Sequence, residues 1–255
     1  MATEQLRWGV SPLCWTNDVL EDLGGDIPLD TCLREAREAG YQGIELGRKF
    51  PRQAATLGPL LAAADLRLAS GWYSGMLADR SVEAELEAVR EHAQLLRQLG
   101  AKVMVYGECG QLRGETPLDE PISLSPPLSR VSLAAYCHKL NTFADLLLRD
   151  YDLQLAYHHH LMMLVEHDDE LERFLSHTHD NVGLAFDTGH AFVAGVVIPR
   201  VLHKYGHRIR HLHLKDVRPQ VLGRLYRENL SFNEAVRAGL FTIPGDGCID
   251  YAPIL

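Results

Sequence analysis

The 255-residue sequence lacks any apolar run long enough to cross a bilayer. Its longest, residues 191–198, contains Gly195 and falls far short of the roughly 20 residues that a spanning helix needs. The opening Met-Ala-Thr-Glu-Gln has none of the basic-then-apolar pattern of a secretory leader, so a cytoplasmic location is expected. Positive charge is scarce: 25 Lys and Arg against 34 Asp and Glu leave a net charge of -9. That balance speaks against a general phosphate-attracting surface and hence against nucleic acid. Five cysteines (Cys14, Cys32, Cys109, Cys137 and Cys248) form no CxxC pair, which disfavours a disulfide framework or a zinc ribbon. HExxH is missing. GxGxxG is missing too, and Gly107-Glu-Cys-Gly110 is a poor substitute for it.

Apolar mass and histidine are what the chain does have. Hydrophobic residues make up 46% and charged residues 23%, the balance of a globular protein with a core to bury. Histidine is unusually common at 13, and several histidines cluster between positions 158 and 213.

Short apolar stretches at residues 7–11, 43–46, 67–70, 102–106, 153–157, 182–186 and 209–214 read as strands. Helical patterns lie between them, at 28–39, 53–64, 82–96, 133–147, 168–176 and 198–205, with a further one around 229–238. The clearest places Val82, Leu86, Val89, Ala93 and Leu96 on one face. Residues 107–130, rich in proline and glycine, read as a long loop. Strict alternation of strand and helix implies parallel strands joined by right-handed crossovers. Seven such units in one domain over residues 1–255 favour an α/β TIM (β/α)8-type barrel that lacks its last βα unit.

In such a barrel, chemistry collects where the strands end. Asp187 ends an apolar run and either projects into the mouth or caps the next helix. His211, His213 and Lys215 are spaced by two and share one strand face, a costly arrangement unless they serve a ligand or each other. His158 and His160 share a face, with His159 on the other, and Glu166 follows. Imidazole with carboxylate suits a divalent transition metal better than Ca²⁺. Glu45, Lys49 and Arg52 at the second strand end either bind a polar substrate or form a solvated loop, the plainer reading for Arg52. Trp15 and Trp72 floor a sugar-sized ligand or simply pack. Cys109 reads as a small loop residue.

Several segments resemble the inosose dehydratases. They are Trp8-Gly-Val-Ser-Pro-Leu-Cys-Trp-Thr-Asn-Asp18, Gly43-Ile-Glu-Leu-Gly-Arg-Lys-Phe-Pro-Arg52, Tyr106-Gly-Glu-Cys109, Tyr157-His-His-His160, Phe186-Asp-Thr-Gly-His190 and His213-Leu-Lys-Asp-Val-Arg218. The family belongs to the xylose-isomerase-like barrels and acts on 2-keto-myo-inositol (scyllo-inosose) in myo-inositol catabolism. The resemblance implies a metal-dependent hydro-lyase using Mn²⁺ or Co²⁺, with Zn²⁺ also admissible. It implies Asp187 and His213 as metal ligands, with either Glu166 or His158 as the strand-five ligand. The family's strand-eight ligand has no counterpart, so the chain is expected to be C-terminally truncated relative to the family. His190 and Lys215 are the catalytic candidates, and Trp15, Glu45, His160 and Arg218 the substrate contacts. Glutathione is associated with the family by resemblance alone. The expected partner is a small cyclic polyol ketone, with neither nucleic acid nor membrane, and homo-oligomer formation stays open. The alternatives are a metal-dependent ketose isomerase or epimerase on the same barrel and a non-catalytic sugar-binding barrel.

Overall fold

The computed structural model describes residues 6–110, 112, 116–124 and 132–254, so part of the 107–130 loop lies outside the described residues. Seven strands form one sheet in chain order: β1 (Gly9–Val10), β2 (Gly43–Leu46), β3 (Arg67–Gly75), β4 (Val103–Glu108), β5 (Gln154–His158), β6 (Val182–Asp187) and β7 (Ile209–His213). Every neighbouring pair is parallel. The expected α/β barrel order is thus present, as an incomplete barrel of seven strands. β3 runs five residues beyond the stretch that periodicity marked, to Gly75, and β1 is shorter than expected.

The sheet curls rather than lying open. Glu45 on β2 accepts hydrogen bonds from His211 and His213 on β7, so strands five positions apart in the sheet face each other across the interior. β1 and β7 each pair on one side only among the described residues.

Helices cover the outside: α1 (Leu29–Glu38), α2 (Ala54–Ala63), α3 (Val82–Gln98), α4 (Leu133–Tyr151), α5 (Asp168–His177), α6 (Thr188–Val193) and α7 (Ile198–Tyr205). α3 shows why such a helix forms where it does. Ser81 accepts from the Ala84 N–H at 3.2 Å, Glu83 and Glu85 complement the positive end, and Gly100 at φ +79° ends the helix. Its Val89, Ala93 and Leu96 are fully buried, and removing a leucine from water contributes about 2 kcal/mol. All six residues of β6 are buried, as expected of a strand covered on both faces.

Beyond β7 the structure corrects the sequence reading, which placed a single helix around 229–238. An antiparallel ribbon, β8 (Asp216–Val217) with β9 (Phe241–Thr242), encloses α8 (Pro219–Arg227) and α9 (Phe232–Arg237). Strands of two residues carry no periodicity. The Asp216 carboxylate fixes this segment instead, accepting from the N–H groups of Val217, Ile249 and Gly245 at 2.8–2.9 Å. No helix among the described residues is long and apolar enough to cross a membrane.

Candidate active site

Asp187 is the last residue of β6 and is fully buried. Its two oxygens divide the roles that the sequence left open. Oδ1 accepts the His190 N–H at 3.0 Å and caps α6. Oδ2 faces Lys215 Nζ at 2.5 Å, His158 Nε2 at 3.5 Å and His213 Nδ1 at 3.5 Å. Gly189 makes this crowding feasible: a Cβ there would sit 2.8 Å from Lys215 Cβ and 2.9 Å from Phe241 Cδ1.

Glu45 is the second anchor. Its Oε1 accepts from Ser70 Oγ at 2.6 Å and meets Nε2 of His211 at 2.9 Å and of His213 at 3.1 Å. A carboxylate cannot donate, so it draws the proton of each ring to Nε2. His213 Nδ1 is then left facing the Asp187 carboxylate with no hydrogen-bond partner. Two electron-rich atoms in that position repel unless a positive charge lies between them. Burial opposes a charge on His213, but Glu45 and Asp187 outweigh burial and raise its pKa to about 9. Burial likewise works against ionised Asp187 and Glu45. Lys215 and His190 outweigh it at Asp187, and His213 and His211 at Glu45, so both carboxyls sit well below the usual range. Burial pushes His158 down to about 3 despite Asp187, which leaves a neutral ring whose Nδ1 has no partner.

These features fit a cation. The ligating atoms of His158, Asp187 and His190 lie within 4.8 Å of one another, and so do those of Glu45, His211 and His213. Nitrogen and oxygen donors of this kind suit divalent transition metals. Between the two strand-five candidates, the structure brings His158, and not Glu166, to Asp187. Glu166 Oε2 accepts the Met162 N–H at 3.0 Å, and Glu166 belongs to neither group of ligating atoms.

Aromatic rings wall the cluster. Trp72 lies edge-on to His158 at 5.2 Å, and Phe232 and Phe241 each lie 5.0 Å from an imidazole, His160 and His190 respectively. Lys215 Nζ sits 5.5 Å from the Phe241 ring centre.

Residues 33–255 match the family of xylose isomerase-like TIM barrels. The chain belongs to that family.

Curated relatives of this xylose isomerase-like barrel include the rhizopine catabolism protein MocC of Rhizobium meliloti. The two are 43% identical over 98% of this chain and 76% of the relative. The inosose dehydratase of Geobacillus thermodenitrificans is 37% identical over 98% of this chain and 84% of its own. The inosose dehydratase of Clostridium beijerinckii is also 37% identical, over 99% and 85%. Among solved structures, the IOLI protein with a binding zinc atom superposes with a TM-score of 0.65 at 17% identity, covering 98% of this chain and 83% of that one. A xylose isomerase domain protein from Alicyclobacillus acidocaldarius gives 0.64 at 18%, covering 97% and 82%. At such identities these two likenesses bear on the fold alone.

Other residues singled out in the sequence bond to neighbouring helices and loops. Trp15 donates from its indole to Glu35 Oε2 on α1 at 2.6 Å, so its polar edge is held by that helix. Arg218 donates to Gly239 O, Thr242 Oγ1 and Asp246 Oδ2 and so braces the β8–β9 ribbon. Lys49 binds the carbonyls of Gly24, Gly25 and Ile27, and Arg52 that of Gly47, so both clasp loops. Ser70, Phe232 and Phe241 were not anticipated. Ser70 ends an apolar strand run and was the legible one. The two phenylalanines reach the mouth only because of the ribbon that periodicity did not show.

Proposed function

We propose that this chain is an inosose dehydratase, a hydro-lyase that removes water from 2-keto-myo-inositol (scyllo-inosose) in inositol catabolism. The observation that carries the substrate is the 37% identity to the Geobacillus inosose dehydratase over 98% of the chain. The mouth geometry supports the chemistry. His158, Asp187 and His213 would hold a divalent cation, proposed as Mn²⁺ or Co²⁺ with Zn²⁺ as the alternative. When bound, such an ion supplies Lewis-acid polarisation of a ketone oxygen. Glu45, by holding His213 Nε2, keeps Nδ1 aimed at Asp187. Lys215, beside Asp187, donates to an oxygen on which negative charge develops. Trp72, Phe232 and Phe241 exclude water and offer apolar faces to the C–H faces of a polyol ring.

The test is consumption of scyllo-inosose by chelator-treated protein with Mn²⁺, Co²⁺ or Zn²⁺ restored, alongside metal analysis. Loss with chelator, recovery with one of these ions and about one ion per chain are expected. No consumption with any of the three overturns the assignment. The 43% identity to the rhizopine catabolism protein favours one second reading, action on a rhizopine, and the same assay with a rhizopine in place of inosose decides it.

A further inference from the structure

His160 and His190 lie with ring centres 3.9 Å apart beside the cation-binding residues. The main chain of one residue, Leu161, touches both through its two adjacent peptide groups. His160 Nδ1 lies 2.6 Å from the Leu161 carbonyl, which can only accept, so Nδ1 carries the proton and Nε2 is a bare acceptor. The Leu161 N–H donates to His190 Nδ1 at 3.3 Å, so that nitrogen is bare and Nε2 carries the proton. Neither Nε2 has a hydrogen-bond partner among the described residues. The proton on His190 Nε2 also makes that atom a donor rather than a metal ligand, although the ring lies near His158 and Asp187.

The backbone that presents these two groups is itself held in an unusual state. Met162 has φ +67°, a left-handed conformation that costs a non-glycine residue free energy and persists only where the surroundings enforce it. Glu166 does so by accepting the Met162 N–H, and Glu170 in turn accepts the N–H of Glu166 at 3.0 Å.

We propose that the Leu161 main chain, through its N–H and its carbonyl, locks His160 and His190 in opposite tautomers, and that the pair presents one acceptor and one donor matched to the hydroxyl and ketone oxygen of an α-hydroxy ketone. A ketone oxygen can only accept and so requires His190 Nε2–H. The hydroxyl on the adjacent carbon donates to His160 Nε2. This assignment rests on the proposed function for its substrate class and gives these two rings recognition rather than proton transfer. Glu166 is the positioning residue.

The first test is ¹⁵N NMR of histidine-labelled protein at neutral pH, with signals assigned by loss in H160Q and H190Q. A neutral Nδ1–H ring at His160 and a neutral Nε2–H ring at His190 are expected. E166A should blur the His190 pattern, whereas E166Q, which keeps an acceptor, should preserve it. Equal tautomers, or reversed ones, overturn the lock. The second test is calorimetric binding of scyllo-inosose and of its analogue lacking the hydroxyl beside the ketone. The deletion should weaken binding about tenfold in the natural protein, the worth of one hydrogen bond, and less than twofold in H160A or H160Q. Equal weakening in all three, or no binding of either ketone, overturns the recognition claim. Binding with the expected pattern but without dehydration would sink the proposed function and leave this inference standing.

Discussion

Two buried polar clusters sit in this barrel, and they are built on opposite terms. The inner one lies beside β3 and β4, where Glu85 and Glu108 are fully buried yet every carboxylate oxygen has a donor. Glu85 Oε1 accepts from the Met76 N–H at 2.9 Å and Tyr106 Oη at 3.2 Å, and its Oε2 meets Arg80 at 3.3 Å. Glu108 Oε1 accepts from the Gly110 N–H at 2.8 Å and its Oε2 from the Ala78 N–H at 3.3 Å, and Tyr106 Oη lies 3.2 Å from the same Oε2. Lys139 completes the clasp by donating to the carbonyls of Leu77 and Arg80. In the mouth, by contrast, the Nδ1 atoms of His158 and His213 are buried with no partner. A satisfied buried network rigidifies a fold, whereas an unsatisfied one costs stability that a bound ion, ligand or ordered water returns. The comparison separates structure from function without reference to which residues are charged.

The sharpest way to break the comparison is Asp187→Asn. Its Oδ1 can still cap α6, but the charge facing His158, His213 and Lys215 is gone. Loss of several kcal/mol of transition-state stabilisation, or about 10³-fold in kcat/KM, is expected while far-UV circular dichroism stays native. Retained turnover would remove Asp187 from the site. Glu85→Ala is the mirror experiment. It strips the acceptor from Met76 N–H and Tyr106 Oη deep in the protein and should cost about 3 kcal/mol in urea unfolding. The folded fraction should still bind metal. A stability change under about 1 kcal/mol would mean that the inner cluster is not the structural one.

Glu45→Gln probes the boundary between the two terms. The amide keeps one acceptor but loses the charge that holds two histidines, so metal affinity should fall about 10- to 100-fold by calorimetry with little change in melting temperature. An unchanged Kd would make Glu45 a substrate contact, one of the two readings that the end of the second strand offers.

The smallest effect is a pH dependence. Burial raises the Glu108 pKa, against the hydrogen bonds from Gly110 and Ala78 that would lower it. Tyr106 has one hydroxyl hydrogen for two carboxyl neighbours, which favours holding a proton on Glu108 and so acts in the same direction. Between the ordinary value of 4.5 and the raised one, the folded state binds more protons than the unfolded state. Stability from this group is therefore full below 4.5 and lost as pH rises. Melting temperature relative to Glu108→Gln should decline from pH 4 toward neutrality, about one proton's worth of slope at most. A rise would reverse the sign of the Glu108 shift.

How far the site was legible in the sequence follows from how each residue is placed. Asp187, His158 and His213 end strands, and the period of two sends their side chains inward without help from elsewhere. That made the barrel order and the convergence of these three readable. The choice between His158 and Glu166 was not readable, because it depends on the left-handed Met162 turn, which points the Glu166 carboxylate back at its own loop. The direction of Trp15 was not readable for a similar reason: it is set by Glu35, 20 residues away on another element. Arg218 looked like a ligand contact because the ribbon it braces leaves no periodic trace.

The Leu161 lock is made of main-chain atoms alone. Drift at position 161 can therefore exchange one apolar side chain for another with the imidazole protons undisturbed. Only proline, which lacks the amide hydrogen, would free His190 in a single step. A variant library at that codon should tolerate many replacements and single out that one.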